Sequence, residues 1–146
     1  MAYTTIDDPS EYFHIQLYSG NSNDDRDITN DANAGDFKPD WLWIKERTST
    51  SSNQLVDSNR GTRYAVLSDS VNAEDDDQNR VQAFNTDGFQ VGTASTVNEN
   101  SQTYVAWQWK ANGGTATATI SESGSNPAAS VQANTTAGFS IITYTG

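Results

Sequence analysis

Two segments carry every tryptophan of the chain, and both alternate: Trp41-Leu42-Trp43-Ile44-Lys45 and Tyr104-Val105-Ala106-Trp107-Gln108-Trp109-Lys110. Residues two apart in a strand share a face, so Trp41 and Trp43 point one way, as do Val105, Trp107 and Trp109. The pattern predicts two paired central strands of a β-sandwich with the tryptophans in its core, where large aromatics usually lie. Leu42 and Ile44 are apolar too, which predicts that the first strand is covered on both faces. The competing reading is an exposed aromatic platform that stacks on sugar rings; the core reading is preferred.

The rest of the chain reads as short strands and turns. From Phe13 the sequence alternates, with Phe13, Ile15 and Leu17 on one face and Tyr12, His14, Gln16 and Tyr18 on the other, until Gly20 ends the strand. A short strand is expected around Asp27 to Thr29. Gln54 to Asp57 and Arg63 to Leu67 form a hairpin through Ser58-Asn59-Arg60-Gly61, and Arg80 to Phe84 and Phe89 to Val91 form a second one around Asp87-Gly88. Asn112-Gly113-Gly114 closes the second tryptophan strand. Beyond it the composition shifts to Thr, Ala, Ser and Gly, which predicts a linker with one peripheral strand around Ala116 to Ile120. The last nine residues, Gly138 to Gly146, repeat Tyr12 to Gly20 with Phe, Ile, Tyr and Gly in register. This predicts either the start of a second module in a longer protein or a terminal strand that pairs into the sheet of this or a neighbouring subunit. The expected organisation is an extended docking arm over residues 1–11, a sandwich over 12–114, and a linker plus terminal strand over 115–146.

Charge and composition narrow the function classes. The 146 residues suit one domain with a core large enough to fold without staples. A net charge of −11, from 8 Lys+Arg against 19 Asp+Glu, repels phosphate backbones and anionic membranes, so neither nucleic acid nor membrane is expected as a partner. There are no cysteines, which removes disulfides and thiol chemistry. The acidic run Glu74-Asp75-Asp76-Asp77, with Asp69 upstream, has hard oxygen ligands of the kind Ca²⁺ takes, but lacks the spacing that surrounds one ion and reads as a solvated charge run. His14 is the sole histidine and has no nucleophile motif to serve. No spacing nominates a carboxylate pair, so no enzyme, cofactor or metal is expected. Arg47, Arg60, Arg63 and Arg80 each invite a carboxylate partner. Tyr18, Trp41, Trp43, Tyr64 and Trp109 are candidates for a sugar-stacking surface, with Tyr18, Tyr64 and Trp109 retained as the platform.

Four segments carry a family resemblance: Phe37-Lys38-Pro39-Asp40-Trp41-Leu42-Trp43-Ile44-Lys45-Glu46-Arg47, Leu55-Val56-Asp57-Ser58-Asn59-Arg60-Gly61, Phe84-Asn85-Thr86-Asp87-Gly88-Phe89-Gln90-Val91-Gly92 and Tyr104-Val105-Ala106-Trp107-Gln108-Trp109-Lys110-Ala111. In order and spacing they resemble a domain of unknown function found in virion structural proteins of marine tailed phages. The resemblance implies an all-β, antiparallel, concanavalin- or jelly-roll-like sandwich, often repeated, and supplies no catalytic or ligand-binding residues. It also implies a role as the virion-attaching front of a tail fibre. That protein would be made in the host cytoplasm, assembled as a homo-oligomer, a trimer, and docked to tail or adaptor proteins. On that reading Tyr3, Ile6, Asp7, Asp8, Pro9 and Tyr12 are the docking residues, adding a strand to a partner's sheet edge. The alternatives are a carbohydrate-binding module for host-surface glycans and a capsid decoration protein.

Overall fold

The computed structural model describes residues 6–31 and 36–146. In chain order the strands are β1 (Phe13–Ser19), β2 (Arg26–Ile28), β3 (Trp41–Glu46), β4 (Gln54–Asp57), β5 (Gly61–Val66), β6 (Asp75–Asp76), β7 (Val81–Asn85) and β8 (Gly88–Val91). A single helical turn, α1 (Ser95–Asn98), separates them from β9 (Thr103–Trp109), β10 (Ala118–Ile120), β11 (Ala129–Asn134) and β12 (Phe139–Tyr144). All pairings are antiparallel. One sheet runs β1-β9-β3-β4-β5-β6, a second runs β2-β8-β7, and a third runs β10-β11-β12.

The first two sheets face one another as an all-β sandwich. Leu42, Ile44, Val56, Ala65, Tyr104 and Ala106 from the large sheet meet Ile28, Val81, Phe89 and Val91 from the small one, with Val97 of α1 closing the end. Both expected hairpins form. In the second, Gly88 adopts φ +99°, and an added Cβ there would sit 2.1 Å from the Ile28 carbonyl oxygen, so only glycine lets β2 approach β8. Gly20, which ends β1, is equally restricted: its Cβ would lie 2.0 Å from the Glu99 carbonyl oxygen.

The tryptophan strands pair as expected, with Trp41 opposite Trp109 and Trp43 opposite Trp107. Their orientation is the reverse of the expected one. Leu42, Ile44, Tyr104, Ala106 and Gln108 point into the sandwich and are buried, whereas the tryptophans line the outer face and Trp43 is 37 % exposed. The physical reason is that both faces of the ladder are apolar, so alternation alone does not choose between them. The branched and small side chains of one face interdigitate with Phe89 and Val91, and the bulky indoles are left outside. In β1 the two expected faces form, with Phe13, Ile15 and Leu17 outside and His14, Gln16 and Tyr18 inside.

Two further findings concern the ends. The stretch before β1 is not extended throughout, because Asp8 accepts hydrogen bonds from the Ser10 backbone N–H (2.9 Å) and hydroxyl (2.6 Å) and caps a 3-10 turn at Pro9–Glu11. Residues 115–146 are more than a linker, since they fold into the β10-β11-β12 sheet, in which the terminal strand pairs with β11 of its own chain. The sequence of β11, Ala-Ser-Val-Gln-Ala-Asn, offers little apolar alternation to read. Gln132 at its centre is fully buried and anchors the sheet to the sandwich: Oε1 accepts from Asn112 N–H (2.9 Å) and Gly114 N–H (2.8 Å), and Nε2 donates to Ser58 Oγ (2.9 Å).

The inverted orientation makes a stability prediction. Phe89→Ala should lower unfolding free energy by about 3–5 kcal/mol, as for a fully buried aromatic, and Trp43→Ala by only about 1–2 kcal/mol, as for a partly exposed one. Urea denaturation of the two variants measures both.

Candidate functional site

The outer face of the large sheet is the surface that stands out chemically. Strand register places Phe13, Trp109, Trp41 and Asp57 in one cross-strand row and Ile15, Trp107, Trp43, Leu55 and Val66 in the next, followed by Leu17, Val105 and Lys45. The first row is partly covered. Phe139 of β12 stacks on Trp109 at 6.2 Å and 21°, and Phe13 leans on the same indole at 4.9 Å. The second and third rows remain open, with Ile15 at 44 % and Leu17 at 56 % exposure. Trp43 and Trp107 lie 5.5 Å apart at 57°, so their rings do not form one flat surface. The Trp43 indole N–H donates to Asn53 Oδ1 (2.8 Å), and Lys45 Nζ donates to the carbonyls of Glu46 (2.7 Å) and Ser49 (3.3 Å). The Trp43 N–H and the Lys45 ammonium at the border of the patch are thus already engaged, and the apolar surface is about 10 Å or more across.

A family model matches residues 8–146. The chain belongs to the family of domain of unknown function DUF7483. Comparison with curated proteins and with solved structures found no match. The match takes in the β10-β11-β12 sheet, so the DUF7483 domain includes the region that composition alone set apart as a linker.

Within the DUF7483 domain the expected sugar platform is not brought together. Tyr64 and Trp109 lie on the outer face of the sheet, with Trp109 partly covered by Phe139, but Tyr18 points the opposite way. Its ring stacks on Tyr104 at 5.1 Å and meets Phe89 edge-on at 6.0 Å, the Arg26 guanidinium lies 5.8 Å above it, and its hydroxyl donates to the Val97 carbonyl (2.8 Å). Of the expected docking residues, Tyr3 lies outside the described residues. Asp8 and Pro9 belong to the capped turn, and the Tyr12 ring takes the Lys110 ammonium at 5.6 Å. The hydroxyl and amide hydrogen bonds from Ser10 hold the Asp8 carboxyl below the usual carboxylate range.

The acidic run is consumed by arginines. Arg60 reaches both Asp57 (2.6 Å) and Glu74 (2.8 Å), Arg63 pairs with Asp76 (2.7 Å), and Arg80 pairs with Asp75 (2.6 Å). Three of the four arginines expected to hold carboxylates do so. No group of acidic or histidine side chains fit to hold a metal ion occurs among the described residues. Asp57 Oδ1 also accepts the Asn59 and Arg60 backbone N–H groups (3.0 and 2.9 Å), so the Asp-Ser-Asn-Arg-Gly segment is a structural hairpin clamp. Sequence reasoning missed two buried polar hubs. Asp40 accepts from Ala111 N–H (2.7 Å), Gly113 N–H (2.9 Å) and Ser58 hydroxyl (2.7 Å), which ties the start of β3 to the exit of β9. Asn98 Oδ1 accepts from Asn21 N–H (3.1 Å) and Arg26 (2.9 Å), and its amide donates to the Asn23 and Gly92 carbonyls (both 2.8 Å). Only the Pro-Asp before Trp41 hinted at the first; nothing local marked the second.

Burial pushes the Tyr18 hydroxyl well above the ordinary tyrosine pKa of 10.0, with Tyr104 adding to the rise, and burial raises Tyr104 as well. The folded state therefore retains protons that the unfolded chain loses, so stability is complete below about pH 10 and falls as pH climbs above it. Tyr18→Phe should reduce that alkaline loss while lowering stability at neutral pH by about 1 kcal/mol for the lost hydrogen bond. Melting curves of both proteins between neutral pH and strong alkali measure the difference.

Proposed function

We propose that this DUF7483 chain is a virion structural protein, the particle-attaching front module of a phage tail fibre. The observation that carries the reading is the open apolar face holding Ile15, Leu17, Trp43 and Trp107 on an otherwise strongly acidic chain. A face of this kind on a soluble protein marks a surface for assembly. The −11 charge suits a component that is displayed at high copy number and must not aggregate. The resemblance of Phe37 to Arg47 and Tyr104 to Ala111 to virion proteins of marine tailed phages supports the same role. Residues 1–7 precede the family match, and on this reading they are the docking segment for a tail or adaptor protein.

A second reading is favoured by one feature: the Trp43 ring is partly exposed while its indole N–H is fixed by Asn53, an orientation suited to stacking on a pyranose. That reading makes the chain a carbohydrate-binding module for host-surface glycans. The two are separable.

Deleting residues 2–7 leaves the Asp8 cap and the matched domain in place. On the structural reading the truncated chain still folds and fails to enter particles. Normal incorporation would contradict it. A glycan array probed with the full chain should show no binding on the structural reading, and Trp43-dependent binding on the second.

A further inference from the structure

The two edges of the large sheet differ sharply. At one end β6 is two residues long and both are aspartates, one of them paired to Arg63, so the edge is short and charged. Proteins blunt sheet edges in this way against unwanted pairing. At the other end β1 runs for seven residues, Phe-His-Ile-Gln-Leu-Tyr-Ser, without a carboxylate, lysine, proline or bulge. Its neighbour β9, Thr-Tyr-Val-Ala-Trp-Gln-Trp, also has no charge.

Hydrogen-bond phase shows which groups of β1 face outward. Lys110 N–H donates to the Tyr12 carbonyl (2.9 Å) and Gly20 N–H to the Gln102 carbonyl (2.8 Å). In an antiparallel ladder the bonded positions alternate, so the even-numbered residues from Tyr12 to Gly20 turn their backbone groups to β9. Phe13, Ile15, Leu17 and Ser19 turn theirs to the open side. Among the described residues no other strand pairs there; the Leu17 carbonyl accepts one bond, from the Gln16 side-chain amide (2.9 Å). The same odd-numbered residues project Phe13, Ile15 and Leu17 onto the open apolar face, so backbone donors and acceptors and exposed apolar side chains coincide along one line.

We propose that this edge pairs with β1 of a second copy of the chain across a two-fold axis, joining two large sheets into one continuous sheet. The occupant follows from self-complementarity. Antiparallel pairing of β1 with itself sets Ile15 opposite Leu17 and Phe13 opposite Ser19 of the second copy, with each row of N–H and C=O groups meeting its own reverse. Neither β1 nor β9 carries a lysine or arginine to select an acidic peptide, and the carboxylates that give each copy its charge of −11 are absent from both strands nearest the seam. An isologous contact of this type closes at two copies. The inference stands on the strand edge and does not rest on the virion reading; it replaces the expected trimer with a two-fold contact.

The test is sedimentation velocity on the full chain combined with residue-resolved hydrogen exchange. The expected mass is twice the 15.9 kDa of one chain. The amides of Ile15 and Leu17 should exchange at least about tenfold more slowly than in Leu17→Lys, as for bonds made only in the pair. Leu17→Lys should sediment as a single chain with unchanged circular dichroism, and Val71→Lys, in a fully exposed loop position, should remain paired. Added salt should strengthen pairing by screening like charges. A wild-type mass of one or three chains overturns the proposal. So do weakening by salt, a pair in which Ile15 and Leu17 amides exchange as fast as in the variant, and a Leu17→Lys protein that stays paired. A single chain with protected odd-numbered amides also overturns it, since the chain's own remaining residues would then fill the edge. If Leu17→Lys does not fold, the mass of the wild type and the protection of these amides relative to Val71 and its loop neighbours decide the matter.

Discussion

The fold depends on which face of the β3-β9 ladder is turned inward. Successive residues of a strand point to opposite faces, so one choice fixes the exposure of every side chain in the pair and, through register, in β1 and β4 as well. With Leu42, Ile44, Tyr104 and Ala106 inside, the small sheet docks through Phe89 and Val91 and the core closes around branched side chains. The same choice commits four tryptophans to the outer face. One row of that face is partly covered by Phe139, and the rest stays open.

Polar hubs hold this arrangement where apolar contact does not specify it. Asp40 and Gln132 bind backbone N–H groups at the exit of β9 and join the third sheet to the sandwich through Ser58. Asn98 spends all its hydrogen-bonding capacity on four partners, fixing α1 against the loop before β2. Buried polar groups satisfied to this degree rigidify a structure, and a half-satisfied one would destabilise it. The acidic loop and the arginines serve in a similar way at the β5-β6 end, where ion pairs blunt the sheet edge.

Much of the architecture was legible in the sequence. Alternation located β1, β3 and β9, and turn chemistry at Asn59-Arg60-Gly61 and Asp87-Gly88 located both hairpins, because these signals are local. Facing was not legible for β3 and β9, where both alternating sets are apolar. In β1 alternation separated the two faces without saying which turns inward: this is an edge strand whose inner side meets the polar Asn30–Asp31 segment, as the bond from the Asp31 N–H to Gln16 Oε1 shows. β11 escaped notice because Ala129 to Asn134 carries almost no apolar period. The long-range polar hubs join residues up to 77 positions apart, as Asn98 to Asn21 does, and no spacing rule reveals them. The open apolar surface, which now carries the functional reading, followed only once the facing was known.

Everything on the outer sheet surface follows from the tryptophan face pointing away from the core. Hydroxyl-radical footprinting of the native chain, read by mass spectrometry at each tryptophan, tests it directly. Trp43 lies two strands in from the β1 edge and should be oxidised readily while the protein is folded, with Trp41 and Trp109 modified more slowly. Protection of Trp43 at the level of Phe89, lifted only on unfolding, would contradict the account.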